Sequence, residues 1–138
     1  MGIPQSGRFT AWWEHDEKNN KVSIHAHQSQ DERRKQIITD VDVLRTAGPF
    51  ALCRIGLITG RTHQIRAHMA SIGCPILGDS KYGNNTANRE LKLKYQALCA
   101  WELTMPHFNQ PDFEFLSGKT FHAPKPWYYQ QVLDGTLK

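Results

Sequence analysis

The chain has 138 residues, 39% hydrophobic and 22% charged, with 17 Lys+Arg against 13 Asp+Glu, a formal charge of +4 and seven histidines. That length suffices for one domain with a real core and no disulfide or metal staples, and the composition excludes a disordered chain. No apolar run approaches the roughly 18 residues a membrane span requires. The first residues lack the charged and apolar regions of a signal peptide, and the mild basic excess permits a polyanionic partner without requiring one.

The elements follow in chain order. The opening residues MGIPQSGRFTAWW are given no element of their own, and EKNNK reads as a turn. KVSIHAHQ alternates Val22, Ile24 and Ala26 with Ser23, His25 and His27, the pattern of a strand with one wet face. DERRKQ reads as a solvated link to IITDVDVLRT, a strand with Thr39, Val41 and Val43 on one face and Asp40 and Asp42 on the other. AGP breaks it before FALCRIGLI, predicting a hairpin whose second strand is apolar enough to be central. After Thr59-Gly60 the period changes to about 3.6, because Ile65, Met69 and Ile72 recur at spacings of four and three. This predicts a helix over 62–72, with Gly73 as its stop and Pro75 beyond it. PILGDSKYGNNTANRE reads as loop. A strand is expected from about Gln96, a short closing strand at FEFL, and a terminal helix begun by Pro126 and ended by Gly135. Cys53, Cys74 and Cys99 are widely spaced in apolar surroundings, which predicts reduced thiols that pack as small core residues in a cytoplasmic protein.

The strand-to-helix junction TGRTHQIRAHM concentrates the chemistry. At about 100° per residue, His63 and Arg66 fall together beside the apolar stripe. Arg66 offers a guanidinium fork to a carboxylate. Arg61 and Thr62, with free backbone N–H groups at the helix start, suit a phosphate. The bland alternative is a basic amphipathic helix that is simply a solvated face. His63 and His68 are five apart, about 140° around a helix, unlike the four-residue spacing of a zinc-binding helix, so no metal site is expected.

GLITGRTHQIRAHMASIGCPILGDSKYG resembles the third motif block of the pseudouridine synthases that modify large-subunit ribosomal RNA and transfer RNA. PQSGRFTAWW is similar to the segment after that family's central tyrosine strand, and YQALCAWELTMPH to its closing strand motif. The resemblance covers almost the whole of residues 1–138. It implies an α/β (α+β) fold, a mixed and mainly antiparallel sheet with few helices, here the C-terminal part of the catalytic domain and therefore incomplete. It also implies isomerisation of a uridine within structured RNA without cofactor or metal: the glycosidic bond breaks, the base turns, and C1′ is rejoined through carbon 5. In that family an essential aspartate is paired by an arginine at the position matching Arg66, and a tyrosine stacks on the flipped base. Leu98 matches the apolar position packed near the uracil, and Arg61, Thr62, His63 and Gln64 match positions close to the RNA. Such a site must offset the unstacking of an extruded base.

The family's aspartate lies in a motif close to H-R-L-D followed by T-S-G, which residues 1–138 do not contain, and the tyrosine block is missing as well. Asp79, in GDSKYG, resembles a structural turn residue, and Cys99 stands where a histidine is common. Two explanations remain open: a fragment of a longer enzyme, inactive alone, or a shortened relative that binds RNA without modifying it. A scaffold whose basic helix has no ligand is the third reading. Loss of upstream strands would leave an unpaired edge beside FALCRIGLI, through which self-association is expected.

Overall fold

The computed structural model describes residues 2–137. A four-stranded antiparallel sheet forms from β1 (Gly7–Asp16), β2 (Lys21–His25), β3 (Lys35–Ala47) and β4 (Phe50–Leu57), in the order β2-β1-β3-β4. Helix α1 (Gln64–Ser71) follows β4, α2 (Asn85–Glu90) comes next, and a two-stranded antiparallel sheet pairs β5 (Glu102–Thr104) with β6 (Thr120–His122). Helix α3 (Trp127–Leu133) closes the chain. The fold is mixed α+β with a mainly antiparallel sheet and few helices.

Period-two alternation places Ile37, Thr39 and Val41 of β3 on the buried face, where Ile37 and Thr39 are fully enclosed. Ala11, Val22 and Leu52 join them from the other strands, Ala67 and Met69 from α1, and Val132 from α3. On the opposite face Arg8 grips Asp40 with paired bonds of 2.8 and 3.0 Å across the β1–β3 ladder, where the two residues are register partners. Helix α1 ends as the sequence indicates: Gly73 adopts φ +79°, the left-handed geometry that lets the chain turn away.

The structure departs from the sequence reading in six respects. Residues 7–16 form a full strand, and GRFTAWWEHD does carry the alternation that would have marked it. Strand β4 is not central: among the described residues it pairs only with β3 and lies at the sheet edge, while β1 and β3 are the strands sandwiched between neighbours. Residues 85–90 are helical, capped by the Asn84 side chain, which accepts from the amides of Thr86 and Ala87 at 3.1 Å each. The strand expected from Gln96 shrinks to Glu102–Thr104. FEFL is not a strand but part of a 3₁₀ turn over Pro111–Leu116, started by Pro111, and the closing strand falls at Thr120–His122 instead. The three cysteines are free thiols; Cys53 and Cys74 are half-buried, but Cys99 is exposed and is not a core residue. No described helix is long and apolar enough to cross a membrane.

Candidate functional site

The junction between β4 and α1 is held from inside by Gln64. Its Oε1 accepts from the Arg61 amide at 3.0 Å and the Thr59 hydroxyl at 2.9 Å, while its Nε2 donates to Ile38 O and Thr39 Oγ1 at 3.1 Å each. The Gln64 residue is only 2% exposed. Two expectations are therefore corrected. Gln64 is engaged in tying the loop to β3, with no face left for RNA, and the Arg61 amide is not free for a phosphate because Gln64 already takes it. The Thr62 amide has no partner among the described residues. The network continues inward, since Thr39 Oγ1 lies 2.9 Å from Nδ1 of buried His68, whose pKa burial pushes down.

Trp13 of β1 braces the same loop from outside, donating Nε1–H to the Thr62 carbonyl at 2.9 Å. The exposed Arg61 guanidinium sits 6.0 Å over its ring. His63 caps α1 in the left-handed conformation at φ 54°, a sparsely populated region for a residue with a Cβ. Its Nδ1 lies 2.9 Å from the Tyr82 hydroxyl. Burial pushes the His63 pKa down, the charges of Arg66, Lys81 and His15 push it further, and Asp79 opposes them.

Arg66 is three-quarters enclosed or more, with a side-chain exposure of 16%, and its fork closes on Asp79: Nε donates to Oδ2 at 2.7 Å and Nη2 to Oδ1 at 3.0 Å. Nη1 is left outside that pair. The Asp79 side chain is 1% exposed, and Oδ1 also accepts from the amides of Lys81 and Tyr82. Burial pushes this carboxyl up, but Arg66 and the two amides outweigh it and hold the group below the ordinary carboxylate range. Gly78 and Gly83 close tightly around the turn: a Cβ on Gly78 would lie 2.0 Å from Tyr95 O, and one on Gly83 2.1 Å from Asp79 O, so neither position accepts a side chain. The ring of Tyr82 lies 5.3 Å from the Arg66 guanidinium carbon. Sequence reasoning treated Asp79 as a turn residue without seeing that it engages Arg66, and it missed Tyr82 and Trp13. Nothing short of tertiary contact marks those three as partners of the junction.

Behind the junction a cleft of about 740 Å³ opens between β4 and the chain at Ala97–Thr104. Ile65 and Met69 of the apolar stripe line it, as does Leu98, while Arg66 is not among its lining residues.

These features define a class: an antiparallel α+β protein whose strand-to-helix junction carries a cationic cluster fixed from within. The chain matches the family profile of the RNA pseudouridylate synthases over residues 2–71, and it belongs to that family. It is 46% identical over 79 residues to ribosomal large subunit pseudouridine synthase D of Nitrosomonas europaea, a match covering 52% of this chain and 23% of the relative. It is 31% identical over 127 residues to an uncharacterized RNA pseudouridine synthase of Mycoplasma genitalium, covering 88% of this chain and 39% of that one. The solved structure of human RNA pseudouridylate synthase domain containing 1 superposes with a TM-score of 0.61 at 26% identity, over 98% of this chain and 54% of the human one. The chain therefore spans well under half the length of the two curated relatives.

Proposed function

We propose that residues 1–138 form the C-terminal part of the catalytic domain of a cytoplasmic RNA pseudouridine synthase, acting on a uridine in structured ribosomal or transfer RNA. The catalytic carboxylate comes from polypeptide outside these residues. One observation carries the reading: Arg66 is preorganised, its Nε and Nη2 locked on Asp79, with Nη1 left to hold a second carboxylate. Asp79 is itself no substitute nucleophile, because a carboxylate 1% exposed with both oxygens engaged does not reach a ribose. Arg61, Thr62 and His63 contact the RNA, and Leu98 packs near the uracil from the cleft wall. The isomerisation calls for neither cofactor nor metal: with the carboxylate's assistance the N1–C1′ bond breaks, the base turns, carbon 5 bonds C1′ and gives up its own hydrogen as a proton, and N1 takes a proton.

A second reading, an RNA-binding module without catalysis, is favoured by the same ion pair, since Arg66 already has a buried carboxylate partner. Release of tritium from RNA labelled at uridine carbon 5 decides between them. The 138-residue chain is expected to release none, and a polypeptide extended upstream to include an H-R-L-D segment is expected to release it. Turnover by the 138 residues alone overturns the placement of the nucleophile; silence from the extended polypeptide favours the binding module.

Self-association through β4 belongs to the same proposal. The accessible surface is 9322 Å², against about 7,300 Å² expected for a compact monomer of this mass. The surplus exceeds the roughly 800 Å² that each partner contributes to a standard interface. Leu44, Leu57, Ile58 and Leu103 are all exposed near the cleft, and among the described residues the outer edge of β4 has no backbone partner. Light scattering on the isolated chain is expected to give a mass above the monomer that rises with concentration. A monomer mass at every concentration counts against this.

A further inference from the structure

Tyr82 occupies a position no other side chain at the junction shares. Its backbone amide donates to Asp79 Oδ1 at 3.0 Å, its ring lies beneath the Arg66 guanidinium, and its hydroxyl meets two groups from different elements. The Val22 amide on β2 donates to that hydroxyl oxygen at 2.9 Å, and His63 Nδ1 on the other side of the loop is also 2.9 Å away. A phenol has one proton to give. One arrangement uses that single proton fully: the oxygen accepts the Val22 N–H, the phenolic hydrogen goes to His63 Nδ1, and the imidazole proton then sits on Nε2. The His63 Nε2 has no partner among the described residues and is not sealed from solvent.

Around this ring stand Arg66 and Lys81, both cationic, with His15 on β1 and the already paired Asp79. Lys81 is tethered through Nζ to the Asn20 carbonyl in the β1–β2 turn, so its charge stays beside the ring. An outward N–H among such cations suits an anionic oxygen.

We propose that Tyr82 is a positioning residue that fixes His63 as a one-sided, neutral donor, Nε2–H outward, to a non-bridging phosphate oxygen of bound RNA. The strained left-handed backbone and the contact to Tyr82 fall on the same residue, as such a fixed role requires. This deepens the RNA-site reading above and rests on it.

The test has two arms. In the free chain at a pH of about 8, long-range nitrogen–proton NMR is expected to show His63 as the Nε2–H tautomer. In Tyr82→Phe the His63 titration moves to higher pH, because the donor that favoured the neutral ring is gone. In the second arm a short uridine-looped RNA hairpin is the probe. His63→Leu is expected to weaken binding about tenfold, His63→Gln to restore most of it, and the salt slope to stay unchanged because a neutral donor displaces no counterion. A neutral methylphosphonate at the contacted position should reproduce the His63→Leu loss in the wild type. An Nδ1–H tautomer, a slope reduced by about one, or sensitivity that follows thio-substitution of the uracil carbonyls instead of the phosphate each overturns the inference. So does unchanged binding by His63→Leu while Arg61→Ala weakens it, and that result leaves the RNA reading standing. A wild-type chain that ignores RNA altogether removes both.

Discussion

Arg66→Ala is expected to lower the folding stability of this chain by about 3–5 kcal/mol, because it strands a buried carboxylate. Asp79 is fully enclosed, and without the guanidinium only the Lys81 and Tyr82 amides remain to hold its charge. The pH dependence carries the sign. In the wild type the Asp79 pKa is depressed below its unfolded value, so the pair's contribution is complete above that value and is lost as pH falls through the folded pKa. In Arg66→Ala burial pushes the same carboxyl up, so its penalty is felt at neutral pH and fades as the group takes a proton. The gap between the two proteins in urea denaturation therefore narrows as pH falls from about 7 to about 4. Arg66→Ala/Asp79→Asn should recover much of the loss, since it removes the charge and keeps an acceptor for the two amides. A surface arginine would show none of this, and a gap that is small or independent of pH contradicts the buried pair.

Gln64→Leu is expected to cost about 2–4 kcal/mol, since it keeps the volume and removes the hydrogen-bonding groups. The Arg61 amide, the Thr59 hydroxyl, Ile38 O and Thr39 Oγ1 all lose a partner at once, two of them deep beneath the helix. Amide exchange should accelerate over residues 59–62 while β1 and β3 remain protected. The variant also separates two roles for this residue. A side chain that contacted RNA directly would leave stability nearly unchanged and weaken binding; a side chain that holds the loop does the reverse, with affinity falling only as far as the loop loosens.

The legible parts of this chain were those written in short-range pattern. The alternation of IITDVDV put Thr39, Val41 and Val43 on one face because successive strand residues point to opposite sides, and the structure buries Thr39 and Val41 and half-buries Val43. The spacing of Ile65 and Met69 gave α1, and Gly73 gave its end. Residues 7–16 carried the same alternation as β3 and still escaped, because two adjacent tryptophans and the polar residues around them blur which face is dry. FEFL misled for the opposite reason: its apolar alternation is real, but Pro111 removes a donor and starts a 3₁₀ turn that the pattern does not register.

Residue order by itself determined the strand-to-helix junction, the hairpin of β3 and β4, and a cluster of cations at one helix start, since each depends on neighbours within a few positions. The fold alone decided that β4 lies at an edge, that Arg66 closes on Asp79 thirteen residues away, and that Gln64 faces inward while His63 turns to Tyr82. Partner choice of this kind is set by which surfaces pack, and a guanidinium or an amide carries no local mark of the group that packing will bring to it.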